Sequence, residues 1–245
     1  MKRRISVSRQ HPMFAPFGAN WPAVRSFLLD LVYPEGAVCR ACGRISDGEV
    51  LCPSCRSALR NDGSLFRWET EELDPDLTAY FMTPHTGIAR SLVLRLKHHA
   101  EACAARPLAD LLLPLPKDFT FSPDTVVTWV TMPERRRRER MIDHGRLLAE
   151  AAARQLGLSC RMLLVRRETK EKNQASLNRY ARQENLKNAF LPLEEITFPV
   201  LLVDDVLTTG TTARRCAAAL RAGGAGQVTV LTYTRATGRN ADLRL

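Results

Sequence analysis

Two adjacent carboxylates and a hydroxyl-rich loop follow an apolar run, and they are the residues of this chain most able to do chemistry. Asp204 and Asp205 end the run Val200–Val203, and the loop Thr208-Thr209-Gly210-Thr211-Thr212 comes next. The free N–H groups at the start of a helix bind phosphate, and a glycine there lets the backbone approach the anion closely. Carboxylates accept hydrogen bonds from sugar hydroxyls. The stretch therefore predicts a ribose 5-phosphate site.

Simpler interpretations of this loop explain less of it. A threonine that caps a helix would account for one hydroxyl. It would not account for two acids at a strand end and four threonines around one glycine. A Walker A loop is not matched, because no Gly-Lys-Ser/Thr follows a strand.

Two Cys-x-x-Cys pairs, Cys39 with Cys42 and Cys52 with Cys55, form a second candidate site. Four thiolates close a tetrahedral site and leave no open position, which predicts a structural Zn²⁺ site. An iron–sulfur cluster also suits four cysteines. A redox Cys-x-x-Cys is a poorer interpretation, since two pairs lie so close together.

A run of arginines, Arg135 to Arg138 with Arg140, follows a predicted strand. Guanidinium groups bind phosphate oxygens in a two-pronged fork. The run, represented by Arg136, could hold pyrophosphate or a nucleic-acid backbone. A solvated charged surface is the alternative.

The elements that must position these residues alternate between apolar β-branched runs and helical patterns, which predicts an α/β fold with a parallel sheet covered on both faces. The predicted strands are Leu77–Met82, Val126–Met132, Met162–Val165, Val200–Val203 and Gln227–Tyr233. The predicted helices are Gly87–His98, Cys103–Leu113, His144–Gln155, Ser176–Asn188 and Thr211–Arg221. In such a sheet, ligands lie beyond the carboxyl ends of the strands, which is where the threonine loop is expected.

Composition divides the chain into three parts. Residues 1–19 are predicted to be a disordered tail. Residues 20–75 are predicted to hold a docking helix, Trp21–Val32, and a small N-terminal zinc-ribbon module with four cysteine ligands, with the boundary in the acidic, turn-prone segment 61–76. Residues 76–245 would form the α/β domain.

Charge and cysteine usage narrow the classes of ligand and compartment. The net charge is +10, from 36 Lys and Arg against 26 Asp and Glu, which favours a polyanion such as nucleic acid or a polyphosphorylated metabolite. The odd count of seven Cys argues against a closed disulfide framework and for metal binding in a reducing compartment. No apolar run is long enough for a membrane span. We expect a cytoplasmic protein.

The loop from Val203 to Thr212 resembles the phosphoribosyl-diphosphate (PRPP) motif of type I phosphoribosyltransferases. More narrowly, the chain resembles the ComF family of competence-associated proteins. That resemblance is carried by the arginine run Pro133–Arg140, the segment Asn173–Phe190 and the paired Cys-x-x-Cys, and it covers nearly the whole chain beyond the tail. It implies a type I phosphoribosyltransferase-like domain.

The resemblance also implies roles for particular residues. Thr131 would lie in the pyrophosphate loop, Glu168–Tyr180 would form a flexible hood over the site, and Lys97 would face it. Mg²⁺ would accompany PRPP. The family pattern usually continues the arginine run with Arg-Gly-Phe-Asn-Gln, whereas this chain has Met141-Ile-Asp-His144. The sequence assigns no role to His144 or His85.

Three hypotheses for function follow. The first, implied by the resemblance, is a protein of natural transformation that handles single-stranded DNA beside a ComFA-type helicase and keeps a PRPP site. The second is a working phosphoribosyltransferase on a base or small molecule, with Asp204 and Asp205 as its catalytic residues. The third is a non-catalytic interaction module. No segment that reads a base is found, so whether the chain is an enzyme stays open.

Overall fold

The structure is a computed structural model that describes residues 37–61, 69–98, 115, 119–133, 143–167 and 189–236. Several predicted features lie outside the described residues. They are the tail 1–19, the helices Trp21–Val32, Cys103–Leu113 and Ser176–Asn188, the arginine run with Arg136, and the loop Glu168–Tyr180.

The described residues form eight strands and four helices. The strands are β1 (Glu69–Asp74), β2 (Leu77–Pro84), β3 (Val126–Trp129), β4 (Ser159–Cys160), β5 (Leu164–Arg166), β6 (Phe190–Pro192), β7 (Val200–Leu207) and β8 (Val228–Arg235). The helices are α1 (Pro53–Asn61), α2 (Gly87–His98), α3 (His144–Leu156) and α4 (Thr211–Ala222).

Six strands form one sheet in the order β1-β2-β8-β7-β3-β4. All neighbours in it are parallel except β1 and β2, which form an antiparallel hairpin at one edge. Strands β5 and β6 form a separate antiparallel ribbon. The prediction of an α/β fold with a parallel sheet is confirmed except at the edge, where β1 pairs antiparallel with β2.

Two apolar cores cover the two faces of the sheet. One contains Leu96 of α2, Leu148 of α3, Val203 of β7 and the buried thiols of the cysteine cluster. The other packs α4 and the β5–β6 ribbon against the opposite face. Burial on both faces explains why β7 reads as a continuous apolar run, Val-Leu-Leu-Val, before its acids.

The prediction that Met162–Val165 is a strand of the parallel sheet is wrong. Ser159–Cys160 pairs with β3 instead, and the chain then leaves the sheet to form β5 against β6. Met162 and Val165 are each 40% exposed. An apolar run does not reveal which distant strand it pairs with, and that was the cause of the error.

The acidic segment before β2 holds a strand that the sequence did not predict. Glu69–Asp74 pairs with β2 and forms the edge of the sheet. Charged residues are common on edge strands because they discourage pairing with other chains. No helix in the described ranges is both long enough and apolar enough to cross a membrane.

Candidate functional site

The two acids of the loop motif lie in the last half of β7, near the carboxyl edge of the sheet. Asp204 pairs in register with Thr232 of β8, and Val203 pairs with Trp129 of β3. Side chains alternate along a strand, so Asp204 and Asp205 point to opposite faces. The sheet thereby gives the two carboxylates different surroundings.

Asp205 faces the layer of α2 and α3, where two basic side chains meet it. Lys97 Nζ lies 2.9 Å from Asp205 Oδ2, and His144 Nε2 lies 3.2 Å from the same oxygen. The Asp205 side chain is 7% exposed. Burial alone would raise the pKa of Asp205, but the charge of Lys97 and the contact with His144 outweigh it and hold that pKa well below its usual range. Asp205 is therefore a buried, ionised carboxylate.

The start of α3 is anchored in a way that brings His144 to Asp205. Asp143 is the N-cap, and its Oδ1 accepts a hydrogen bond from Arg146 N at 3.2 Å. Its Oδ2 accepts a second one from Trp129 Nε1, at the end of β3, at 3.1 Å. Gly145 packs so closely on Trp129 and Val130 that an added Cβ would meet both at 3.3 Å. The cap therefore fixes the helix start against the sheet.

Asp204 lies on the side of α4, and its Oδ1 accepts a hydrogen bond from Asp205 N at 2.9 Å. Burial, followed by the negative charge of Asp205, raises the pKa of Asp204 to about 7. The two neighbouring carboxyls thus titrate far apart, one ionised throughout the physiological range and the other changing charge near neutrality. Pairs of acids separated in this way are common at functional sites.

A polar chain extends from Asp205 to His85. Thr234, fully buried on β8, donates from Oγ1 to the Asp205 carbonyl at 3.3 Å, and His85 Nδ1 lies 2.8 Å from the same hydroxyl. Burial and the charges of Lys97 and Arg90 lower the pKa of His85. His85 is thus a largely neutral imidazole beside the acids at neutral pH.

The threonine loop joins β7 to α4 as the sequence predicted. Gly210 is the N-cap of α4 and has a φ of +71°, a value that suits glycine. Thr209 Oγ1 and Thr211 Oγ1 are 2.8 Å apart. The side chains of Thr208, Thr209, Thr211 and Thr212 are exposed. The loop therefore presents hydroxyls and the start of a helix to the solvent at the carboxyl edge of the sheet.

Thr131 comes two residues after Trp129, so it reaches the same edge from β3. Its side chain is buried, and its Oγ1 has no hydrogen-bond partner within the described part of the chain. The structure brings Asp204, Asp205, the loop and Thr131 to one edge. Arg136 lies outside the described residues.

The four cysteines of the paired motif converge. The Sγ atoms of Cys39, Cys42, Cys52 and Cys55 all lie within 4.8 Å of one another, and those of Cys42 and Cys52 are 3.8 Å apart. Arg44 Nε donates to Cys42 Sγ at 3.3 Å and lowers the pKa of that thiol to about 6. Burial raises the pKa of Cys55 to about 12. The cluster can hold a metal ion.

Sequence reasoning missed His144 and His85 and gave Lys97 only a role implied by resemblance. These residues come from three separate elements and meet only because α2 and β2 end, and α3 begins, at the same edge of the sheet. One signal was available for His144. It lies four residues after Arg140, the last arginine of the run, at the position where the ComF pattern has glutamine.

Fold and site together define an α/β protein with a mostly parallel sheet, an acidic and threonine-rich loop at its carboxyl edge, and a four-cysteine cluster near its N-terminus.

No protein-family model matches the chain, but curated proteins are similar to it over most of its length. It is 28% identical over 216 residues to DNA utilization protein YhgH of Salmonella typhimurium, covering 84% of this chain and 94% of that one. It is 26% identical over 215 residues to Competence protein F of Haemophilus influenzae, covering 82% and 92%. These relatives confirm the resemblance to competence-associated proteins.

Among solved structures, the chain is similar to the allosteric regulatory enzyme of purine biosynthesis, with a TM-score of 0.41 and 20% identity over 57% of this chain. That match spans 30% of the enzyme's own chain. It is also similar to adenine phosphoribosyltransferase from Leishmania donovani, with a TM-score of 0.34 and 14% identity, covering 70% of this chain and 90% of that one.

Proposed function

We propose that this chain is a ComF-like DNA-handling protein whose sheet edge binds PRPP or another ribose 5-phosphate. The observation that carries the ligand site is the buried Asp205 carboxylate, held by Lys97 and His144 directly before the threonine loop. A buried ion pair is a poor way to stabilise a fold, because desolvating the two charges offsets most of their attraction. The place of this ion pair directly before the threonine loop therefore favours a role in ligand binding over a purely structural role.

Each part of the ligand has a matching group. Thr208 to Thr212 would anchor the 5-phosphate through hydroxyls and the N–H groups that begin α4. Asp204 and Asp205 would accept hydrogen bonds from the ribose hydroxyls. Thr131 and Arg136 would cover the diphosphate. Mg²⁺ would enter with PRPP and neutralise that diphosphate.

The DNA part of the proposal rests on the relatives and on charge. The curated relatives carry the names DNA utilization protein and competence protein. The net charge of +10 suits a polyanionic partner. We propose single-stranded DNA as that partner, a ComFA-type helicase as a protein partner, and the cytoplasm, where thiols stay reduced, as the compartment.

We propose that the cysteine cluster holds a structural Zn²⁺ ion. Zn–S bonds of about 2.3 Å in a tetrahedron place the sulfurs about 3.8 Å apart. Cys42 and Cys52 have that separation already. All four ligands would be thiolates, so no position is open for catalysis. Residues 20–75 would form the module around this ion and 76–245 the phosphoribosyltransferase-like domain, with β1 (Glu69–Asp74) joining the sheet of that domain from the first segment.

A second function, phosphoribosyl transfer, is favoured by the two carboxylates. An acceptor lone pair would form a bond to C1 of the ribose, and the C1–O bond would break with its electron pair leaving on pyrophosphate. Positive charge develops on the ribose ring as that bond breaks, and the ionised Asp205 with Asp204 would stabilise it electrostatically. The acceptor would be a base or a small molecule.

The first experiment is a calorimetric titration of PRPP with Mg²⁺ into the full-length, zinc-loaded protein. The same titration is made with Asp204→Asn, with Asp204→Ala/Asp205→Ala, and with Glu194→Gln as the control. Glu194 is an exposed carboxylate that pairs with Arg161 at 3.3 Å, away from the loop. Micromolar binding that survives the control and is lost in the double variant is the expected result. A folded wild type that binds no PRPP would remove the ligand site from the proposal.

Two further assays separate the three hypotheses. Binding of a single-stranded oligonucleotide is measured across a series of salt concentrations, where each phosphate contact contributes about −0.7 to the log–log slope. A steep slope that flattens when Arg135 to Arg138 become glutamine supports DNA handling. Pyrophosphate release with a panel of bases and amines tests transfer. Absence of both activities, with no PRPP binding, would favour an interaction module.

A further inference from the structure

Two arginines donate hydrogen bonds to carbonyls of the threonine loop on the side that faces the β1–β2 hairpin. Arg235, at the end of β8, forms a two-pronged ion pair with Glu71 of β1, with Nη2 2.9 Å from Oε1. Its Nη1 donates to the carbonyls of Thr208 and Ala236, and reaches that of Leu207 at 3.4 Å. One guanidinium therefore ties the start of the loop to the edge strand of the sheet.

Arg214, on the first turns of α4, does the same for the next peptide. Its Nη1 donates to the Thr209 carbonyl at 2.7 Å. Its Nη2 and Nε donate to the Leu73 carbonyl at 2.7 and 3.1 Å, and Nε also lies 3.1 Å from Asp74 Oδ1. The guanidinium thus bridges the loop and the end of β1.

Close packing accompanies these hydrogen bonds, and the contact with Leu73 involves none of their atoms. A Cβ added at Gly210 would meet Leu73 Cδ2 at 3.0 Å and Arg214 Nη1 at 3.0 Å. Both distances are shorter than ordinary carbon contacts. The hairpin and Arg214 therefore form a wall directly behind the loop.

The contacts with the hairpin and with Arg214 fix the direction in which the loop N–H groups point. A trans peptide is planar, so the N–H of each residue points opposite to the carbonyl of the residue before it. The described residues contain no cis peptide. Holding the carbonyls of Leu207, Thr208 and Thr209 against the hairpin side turns the N–H groups of Thr208, Thr209 and Gly210 to the other side. No turn, loop or cap hydrogen bond within the described part of the chain uses those three N–H groups.

We propose that Arg214 and Arg235 are positioning residues: anchored by Glu71, Leu73 and Asp74 of the β1–β2 hairpin, they hold the loop carbonyls outward so that its N–H groups converge on a phosphate monoester. This inference rests on the proposed function, since it concerns how that same loop receives its ligand. It assigns a role to the acidic segment before β2. Glu71 holds Arg235 and Asp74 holds Arg214 through ion pairs. We call these four residues the latch.

Pre-ordering of this kind strengthens binding because the loop loses less freedom when the ligand arrives. The two guanidinium groups are held by acids and carbonyls on the far side of the loop. Their contribution is therefore geometric, and a lysine at position 214 would keep the charge without spanning Thr209, Leu73 and Asp74 together.

The test uses the full-length, zinc-loaded protein and four variants: Arg214→Ala, Arg214→Lys, Glu71→Gln and the control Arg221→Ala. Arg221 also lies on α4 and donates to the same hairpin, at the Asp76 carbonyl 2.6 Å away, two turns of helix beyond Arg214 and away from the loop. Glu71→Gln loosens Arg235 without deleting a core side chain, so it keeps the test decisive if Arg214→Ala fails to fold.

Two measurements distinguish a failure of the latch proposal from a failure of the proposed function. The first is amide hydrogen exchange at residues 208–212 without ligand. The second is calorimetric affinity for ribose 5-phosphate, for PRPP with Mg²⁺, and for inorganic pyrophosphate, which lacks the sugar phosphate that the loop would hold. We expect faster exchange and about tenfold weaker binding of ribose 5-phosphate and PRPP in Arg214→Ala, Arg214→Lys and Glu71→Gln. Pyrophosphate affinity and the Arg221→Ala control should match the wild type.

Each alternative result has a definite meaning. If the wild type binds the ligands and the three latch variants have the same affinity and the same amide exchange as the wild type, the latch proposal is overturned and the proposed function stays intact. Full rescue by Arg214→Lys would overturn it too, because charge alone would then suffice. A wild type that binds neither ribose 5-phosphate nor PRPP would overturn the proposed function, and the ligand role of the latch with it.

Discussion

Replacing Lys97 with methionine tests the charge balance at the centre of the site. The substitution keeps the length of the side chain but removes the cation 2.9 Å from Asp205 Oδ2. Asp205 is 7% exposed, so its carboxylate would lose its main compensation while staying desolvated. Breaking a fully buried pair costs about 3–5 kcal/mol. Lys97 is 25% exposed and His144 remains beside Asp205, so we expect a loss of roughly 2–3 kcal/mol in unfolding free energy at pH 8.

The pH dependence of that loss has a definite sign. In the wild type the pKa of Asp205 is depressed, so its contribution to stability is present above the unfolded pKa and is lost only as pH falls through the lower, folded value. Without Lys97, only the contact with His144 opposes burial, so the pKa of Asp205 should rise above its value in the wild type. The carboxyl of the variant can then protonate at mildly acid pH. The difference between wild type and variant should therefore shrink as pH falls from 8 to 5.5.

Urea unfolding at the two pH values measures both effects. The double variant Lys97→Met/Asp205→Asn is the control, since it removes both charges and leaves no uncompensated carboxylate. It should be more stable than Lys97→Met alone, which is a non-additive result. If Lys97→Met stays within about 0.5 kcal/mol of the wild type at pH 8, the range usual for surface substitutions, then Asp205 is not the buried, ionised group argued here.

Three other predictions follow from the same geometry. The pKa of Asp204 is raised to about 7, so the stability that its protonated form contributes is full below its unfolded pKa and is lost as pH rises through 7; Asp204→Asn should remove this loss, at most about 3 kcal/mol between pH 5 and pH 8, in urea unfolding. Gly210→Ala forces a non-glycine residue to a φ of +71° against Leu73, so thermal melting should show a loss of about 1–2 kcal/mol and phosphate binding should weaken. Chelating the metal should lower the melting temperature by several degrees, because Cys39, Cys52 and Cys55 lie in the core shared with α2; an unchanged melting curve after verified metal loss would contradict a structural role.

The parts of the fold that depend on local patterns could be predicted from the sequence. The bounds of α2, Gly87–His98, are as predicted, and α3 and α4 differ from their predicted ends by one residue each. Their start signals are local: Asp143 caps α3 and Gly210 precedes α4. The loop and its two acids were likewise found because one stretch of chain contains the strand end, the glycine and the helix start.

The parts that depend on long-range pairing could not be predicted. Nothing in Glu69–Asp74 shows that it pairs with β2, because an acidic, turn-prone composition is unusual for a strand. The partner of Leu164–Arg166 is Phe190–Pro192, which lies far along the chain. Lys97 and His144 reach Asp205 from two different helices. Contacts of this kind arise from packing and leave no periodic trace in the sequence.

The departure of this chain from the ComF pattern after its arginine run is explained by the site itself. Where that pattern has asparagine, Asp143 caps α3 and binds Trp129; where it has glutamine, His144 contacts Asp205. Each replacement can make hydrogen bonds through its side chain, as the usual residue can. The histidine therefore keeps a polar contact with Asp205 at this edge of the sheet.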